Sequence, residues 1–336
     1  MSKTKQIFIV GSSRSGTTMM GRILGNHRDV FTFNELHFFG TIWVNKSKNK
    51  IKKNEQIKLL SRLLCIEEKG LFNQDNISDY YKISEKLLFN QSLTPLEIYS
   101  LFLKHVTISN HNFISCEQTP KNIYYLNEIL EYFPDSKVIN MVRDQRDVLL
   151  SQKNKWKRKF LGASKIPFLE TIRSYFNYHP ILTAKVWNLS LENTIRFKDH
   201  DRVIIVKFEE LLANPENTIN SICSFLGIKF QDEMLAVPVV GSSTEEDANN
   251  DLKIDKSKSE KWKKGGLTKA EIYLSQLFSR RMMIQFSYTL EKFDFPPFLT
   301  LVYVITFPLK LVVAFFLNIT RMLSVFEVIN KRFFVK

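Results

Sequence analysis

The chain has 336 residues, 44% of them apolar, and a formal net charge of +14. This length is enough for one large hydrophobic core or two small ones, and the apolar content excludes a disordered chain. Gly and Pro, at 11 and 10, exclude a low-complexity or collagen-like sequence. The charge surplus favours anionic partners, whether nucleotides, acidic glycans, nucleic acid or membrane surfaces, without choosing among them. The basic runs Lys46–Lys53, Lys153–Lys159 and Lys253–Lys264 read first as solvated faces. Cys65, Cys116 and Cys223 are far apart and the histidines are dispersed. Neither a disulfide framework nor a metal site is predicted, and a reducing, cytoplasmic compartment fits.

In chain order, Gln6–Val10 reads as a short buried strand that runs straight into Gly11. Its apolar run is too short for a signal peptide. Gly16–Asn26 reads as a helix and Val30–Phe33 as a second strand ending at Asn34-Glu35. Residues 41–110 are helical in pattern, with Thr94-Pro95 and Glu97 forming a helix start, and are expected to be an insertion covering the site. Asn112–Cys116 is a third strand, Lys121–Phe133 a helix, and Lys137–Val142 a β-branched fourth strand. Asp144–Lys155 turns helical, Arg202–Phe208 is a fifth strand, and Pro215–Leu226 is a helix stopped by Gly227. Residues 241–266 are polar and read as a mobile loop or lid. Residues 267–293 read as helical, and a separate apolar tail follows. Strands alternating with helices predict an α/β fold with a central parallel sheet flanked by helices. In such sheets the site lies at the carboxyl ends of the strands. The expected organisation is one domain over 1–293 and a tail over 294–336.

The segment Gly11-Ser12-Ser13-Arg14-Ser15-Gly16-Thr17-Thr18 joins the first strand to the first helix. Its glycines permit a tight turn, its backbone N–H groups point inward, and the helix N-terminus adds partial positive charge. The spacing matches the start of a Walker A loop, yet Thr17 stands where the phosphate-binding Lys should be. That absence argues against ATP or GTP hydrolysis. Arg14 instead places a planar, permanent cation within the loop. A second element, Arg143-Asp144-Gln145-Arg146-Asp147 through Ser151, also runs from strand end into helix. An Arg and a hydroxyl suit a second phosphate, while a simple ion pair of Arg143 with Asp147 is the plainer alternative.

Taken together, these elements resemble the sulfotransferase family, whose donor is 3′-phosphoadenosine 5′-phosphosulfate. Arg14–Thr18 matches its RSGTT loop for the 5′-phosphosulfate. Arg143–Ser151 matches its R-D-x-R-D-x-x-x-S element for the 3′-phosphate. Lys207–Leu212, Asn214-Pro215, Phe225–Gly227 and Lys261-Trp262-Lys263 are similar to further family segments. The resemblance covers roughly residues 6–290 and is nearest the tyrosylprotein and carbohydrate branches. It implies a P-loop-like fold and in-line transfer of a sulfo group to a hydroxyl, with no metal. Donor contacts then fall to Arg14, Ser15, Gly16, Thr17, Thr18, Arg143, Ser151 and Lys261. The resemblance also implies that Glu35, which follows the second strand, is the base. His37 is the second choice, since imidazole suits neutral pH.

Two departures stand out. The family's E-K-T-P segment is here Glu117-Gln118-Thr119-Pro120, so Gln118 supplies no charge and Lys121 is the nearest substitute. Phe208 replaces a Tyr often found there. The expected acceptor is a hydroxyl of a glycan, glycolipid or similar molecule, with no nucleic-acid partner. A P-loop-like kinase or NTPase and a non-catalytic nucleotide-binding protein are the competing readings. The tail adds Phe298–Leu317, long enough to span a bilayer. Spanning would bury Lys310 at a cost of about 2.5–3.5 kcal/mol. A helical hairpin or interfacial segment avoids that cost, as does a helix packed on the domain. Membrane contact through 298–330 is therefore one expectation, and whether the tail spans, lies on or avoids a membrane stays open.

Overall fold

The computed structural model describes residues 5–43, 49–72, 74, 76–164, 166–239 and 248–318. The start of the expected lid at 241–247 and the basic tail with Arg321, Lys331, Arg332 and Lys336 lie outside the described residues. Strand β1 (Lys5–Gly11) leads into helix α1 (Thr17–Gly25) and strand β2 (Val30–Thr32). Helices α2 (Lys53–Lys69), α3 (Tyr81–Leu87) and α4 (Pro95–Ser109) lie within the stretch 41–110 expected to be an insertion. Strand β3 (Ile114–Glu117), helix α5 (Leu126–Tyr132), strand β4 (Lys137–Val142) and helix α6 (Gln145–Lys153) follow. Helices α7 (Phe168–Phe176) and α8 (Pro180–Arg196) precede strand β5 (Val203–Lys207) and helices α9 (Phe208–Ala213) and α10 (Pro215–Leu226). The chain continues through the hairpin of β6 (Pro238–Val239) and β7 (Ala248–Leu252) to α11 (Lys269–Gln285) and α12 (Leu299–Asn318).

The five long strands make one parallel sheet in the order β2-β3-β1-β4-β5. From β1 the chain moves outward to β2, returns to β3, then crosses to β4 on the other side. The order therefore reverses around β1. Each of the central strands β1, β3 and β4 is almost wholly buried, which explains the apolar runs of β1 and β4, while the short β3 buries Ser115 and Glu117 as well. By contact, the described residues divide into two units, 5–10 with 17–139 and 11–16 with 140–318.

The first unit is cored by aromatic rings. Phe38 stacks on Tyr99 of α4 at 4.0 Å, and Phe33 meets Phe102 at 5.5 Å. The insertion is thus anchored on the segment that follows β2. Its α4 begins as the sequence predicts: Thr94 Oγ1 accepts from the Glu97 N–H while Glu97 accepts from the Thr94 N–H. The helix expected over Lys121–Phe133 is instead a 3-10 turn at Pro120–Tyr125 followed by α5. The cause is local, because Glu117 accepts hydrogen bonds from Thr119 and Asn122 and tightens that turn.

The second unit packs α8 and α11 around Val142, Val148, Trp187, Leu191, Met282 and Met283. Part of the expected lid is ordered into this unit. Residues 248–252 pair with β6, and Trp262 is buried with Leu150 and Ile272. The apolar tail forms α12, which packs on α7 and α11 rather than standing apart. Glu271 draws several elements together. It closes a capping box with Thr268, accepts from Lys153 of α6 at 2.8 Å, and accepts from the Tyr178 hydroxyl. Burial raises the affinity of Glu271 for a proton, but Lys153, Tyr178 and the Thr268 N–H outweigh it and hold the carboxyl below its ordinary range. Glu271→Ala is expected to lower stability by about 2–4 kcal/mol, as a cap and a buried charge-assisted bond are lost together. The midpoint of urea denaturation measures it.

Candidate active site

The loop after β1 owes its shape to two close approaches within the second unit. A Cβ at Gly11 would lie 2.3 Å from the Met141 carbonyl oxygen, and one at Gly16 would lie 2.3 Å from the Phe208 ring. Both glycines also have positive φ, 145° and 94°, so no other residue fits. Between them the Ser15 N–H donates to the Ser12 carbonyl at 3.2 Å, closing a turn. Arg14 sits at its corner with φ 73°, a left-handed conformation unusual for a side chain of that size. Ser15 is fully buried and its Oγ has no hydrogen-bond partner among the described residues. A buried orphan hydroxyl in such a turn suits an anion as its partner. Thr17 and Thr18 open α1, whose N-terminus continues the same turn.

The two sequence elements meet. Arg14 Nε donates to Ser151 Oγ at 2.8 Å, and Arg143 NH1 donates to the Arg14 carbonyl at 3.3 Å. Arg143 lies over the Phe208 ring at 4.3 Å. The ring that replaces the expected Tyr therefore supports this guanidinium and closes on Gly16. The plainer reading of Arg143 also has a basis, since Asp147 lies 3.6 Å away. That ion pair does not exhaust the fork, because Arg143 NH2 donates to the Lys258 carbonyl at 2.8 Å and its buried Nε has no hydrogen-bond partner among the described residues.

The remaining motif residues build the scaffold. Asp144 caps α6 and grips Arg146 through both oxygens, at 3.0 and 2.7 Å. Arg146 stacks on Trp262 at 3.8 Å and donates to Gln276 at 3.0 Å. Asp147 accepts from the Trp262 N–H at 3.0 Å. Burial raises the Asp147 carboxyl above its ordinary range, against the pull of Arg143. These contacts fix the Lys261-Trp262 turn beside Arg143 and bring in Lys258, which the sequence reading missed. Burial, then Lys261 beside it, lowers the Lys258 ammonium to about 8. Burial lowers Lys261 as well. Four cations, Arg14, Arg143, Lys258 and Lys261, thus share one part of the second unit. Only a contact across more than a hundred residues reveals Lys258, and no local motif marks it.

In the first unit, Glu35 and His37 pair through Oε2 and Nε2 at 3.2 Å, with the Glu35 side chain 42% exposed. His37 has φ 50°, and its N–H donates to Thr119 Oγ1 at 3.3 Å. Thr119 in turn donates to Glu117, which also accepts from the Leu36 N–H. Burial, partly offset by Thr119, pushes the Glu117 carboxyl up to about 7. Asn34 is held from α2, its N–H donating to Glu67 Oε2 at 3.0 Å and its amide to the Glu67 carbonyl at 2.7 Å. Burial pushes Glu67 up to about 8. The sequence reading missed Glu67 because its partner lies across the insertion. Gln118 is buried and its Oε1 has no hydrogen-bond partner among the described residues, whereas Lys121 is exposed on the turn that follows.

Residues 6–232 match the family model described as the sulfotransferase family. The chain belongs to the sulfotransferase family. It is 26% identical over 233 residues to protein-tyrosine sulfotransferase 1 of Danio rerio, a match that covers 68% of this chain and 55% of that protein. It is 24% identical over 232 residues to the protein-tyrosine sulfotransferase of Drosophila melanogaster, covering 68% and 39%. The match therefore spans about half the length of these relatives or less. Among solved structures, the sulfotransferase domain from the curacin biosynthetic pathway superposes with a TM-score of 0.54 at 22% identity, over 85% of this chain and 98% of that one. That likeness gives the fold. Among the described residues no group of three or more His, Cys, Asp or Glu is placed to hold a metal ion.

The raised carboxyl of Glu67 has a thermodynamic consequence. Its folded-state proton affinity exceeds the unfolded one, so the folded state holds the extra proton between the ordinary carboxylate range and about pH 8. Stability should fall as pH rises through that window. Glu67→Gln keeps an acceptor for Asn34 and should flatten the fall, giving a higher Tm than the parent at pH 8. Parallel Tm profiles of the two proteins test it.

Proposed function

We propose that the protein transfers the sulfo group of 3′-phosphoadenosine 5′-phosphosulfate to a hydroxyl of a glycan, glycolipid or similar acceptor. The observation that carries this reading is the junction of the two motifs: Arg14 bonded to Ser151, with Arg143 bonded to the Arg14 carbonyl. When bound, the donor supplies the sulfo group and leaves as 3′,5′-diphosphoadenosine. Arg14, Ser15 and the N–H groups of the loop stabilise the negative charge that grows on the departing 5′-phosphate. Arg143, Ser151, Lys258 and Lys261 hold the 3′-phosphate. Glu35 takes the proton from the acceptor hydroxyl. His37, paired with Glu35, orients it and is the second choice for base. Gln118 adds no charge, and its burial beside an exposed Lys121 leaves Arg14 as the main electrostatic contributor to the leaving group.

The relatives named for protein-tyrosine sulfation make a tyrosyl peptide the obvious rival acceptor. Lack of a Walker Lys at Thr17 disfavours the kinase or NTPase reading. Membrane contact through 298–330 would put the protein beside lipid-linked hydroxyls in the cytoplasm, and the apolar helix α12 supports that contact.

Labelled donor offered to glycan, glycolipid and tyrosyl-peptide acceptors tests the activity. Arg14→Ala is expected to lower kcat by about 10²–10³-fold, and Glu35→Ala to remove measurable transfer while leaving 3′,5′-diphosphoadenosine binding intact. Tight binding of ATP with magnesium, and none of 3′,5′-diphosphoadenosine, would sink the reading. Full activity of Glu35→Ala would remove it as the base.

The depressed Lys258 gives a pH signature. An anion binds the charged ammonium, so affinity for 3′,5′-diphosphoadenosine should hold steady below about pH 8 and weaken above it. Lys258→Arg should abolish that weakening. Calorimetric titrations at several pH values provide the check.

A further inference from the structure

The polarity of α12 is inverted. Its side toward the protein carries Thr300, Tyr303, Thr306 and Lys310 among the apolar Phe307, Val313, Ala314 and Leu317, all partly covered. Its outward side carries Leu301, Val302, Ile305, Leu309, Val312 and Phe316, each between 46% and 67% exposed. A helix on a water-facing surface has the opposite arrangement. Within that stripe Tyr303 and Lys310 are bonded to the domain. The Tyr303 hydroxyl meets Thr268 and Glu271 at the start of α11, and its carbonyl accepts from His179 Nε2 at 3.0 Å. Lys310 Nζ donates to the Tyr178 carbonyl at 3.3 Å, and Arg173 Nε to the Leu317 carbonyl at 2.7 Å. Asn318 donates to Asn177 at 2.9 Å.

The surroundings add charge and amphipathic rings. Helix α7 packs against α12 on one side and against the 3-10 turn Lys155–Phe160 on the other. That turn carries Lys155, Lys157, Arg158 and Lys159, with Phe160 exposed at its end. Trp156 packs edge-on to Tyr175 of α7 at 6.0 Å. An apolar face bordered by Trp, Tyr and a cluster of cations matches the boundary of a bilayer that carries anionic lipid. A spanning helix would have to give up every inward bond and turn its polar stripe and Lys310 toward lipid.

We propose that α12 is a monotopic seat: it stays docked on α7 and α11 and lies in the plane of an anionic membrane surface, its outward face in the acyl boundary. This deepens the membrane contact proposed above and does not depend on sulfo transfer.

The test uses the full chain with phosphatidylcholine vesicles with and without phosphatidylserine, alongside 3′,5′-diphosphoadenosine binding as a separate readout. The protein should float with the anionic vesicles. Brominated acyl chains should quench Trp156, since Trp43, Trp187 and Trp262 are buried. Ile305→Glu with Leu309→Glu should abolish flotation, and Lys157→Glu with Arg158→Glu should weaken it about five-fold for each charge removed. Nucleotide binding should be unchanged in both. Asn177→Cys with Asn318→Cys, joined by a short bis-maleimide, locks the docked helix, the native cysteines being buried. The locked protein should float as well as the unlocked one. Flotation lost on locking would show a spanning or undocked helix and overturn the proposal. Absence of flotation in the parent chain would overturn it too, as would self-association in solution that the Ile305/Leu309 variant abolishes. Loss of nucleotide binding in the parent would instead count against the donor reading alone.

Discussion

A Cβ at Gly11 would strike the Met141 carbonyl, and one at Gly16 would strike the Phe208 ring. Those two contacts hold the backbone of the loop close to β4 and to Phe208. The anion cradle proposed for this loop rests on that close approach, with Arg14 at the corner of the turn. Phe208 serves twice, closing on Gly16 and lying under Arg143. A single aromatic side chain therefore sets the distance between the loop and the guanidinium beside it.

The second motif shows how a short sequence pattern can divide its labour. Of its polar residues, Arg143 and Ser151 reach Arg14, whereas Asp144, Arg146 and Asp147 face inward and hold Trp262 and Gln276. Burying an Arg is costly unless its donors and its flat face are all engaged. Arg146 meets that condition with a bidentate carboxylate, an amide oxygen and an indole. Removing Trp262 would leave this charge without its cover, which links two sequence segments that are more than a hundred residues apart.

Much of this was legible from the residues alone. The strands at Gln6–Val10 and Lys137–Val142 announced themselves because buried parallel strands need continuous β-branched and apolar runs. Thr94-Pro95-Leu96-Glu97 marked the start of α4, since capping is a local transaction between side chains and nearby N–H groups. The loop at Gly11–Gly16 was legible for the same reason. What escaped was non-local. Lys258 gains its place from Asp147 and Arg146, and Glu67 from Asn34 across the insertion. The helix expected over Lys121–Phe133 was cut short by a buried carboxylate that periodicity does not register. The stretch holding α7 and α8 carries no motif, and its role emerges only where Tyr178 meets Glu271.

Arg14 combines a left-handed backbone with a long, branched cation. A conformation of that kind costs about 1–2 kcal/mol in any residue but Gly, and a glycine would relieve it. A glycine would also delete the charge that meets Ser151. Under the proposed function, position 14 is thus one where selection for a more robust fold and selection for grip on an anion pull in opposite directions. Sequences drifting toward thermal robustness at this site would be drifting away from the chemistry, and the persistence of an arginine there would be a record of use.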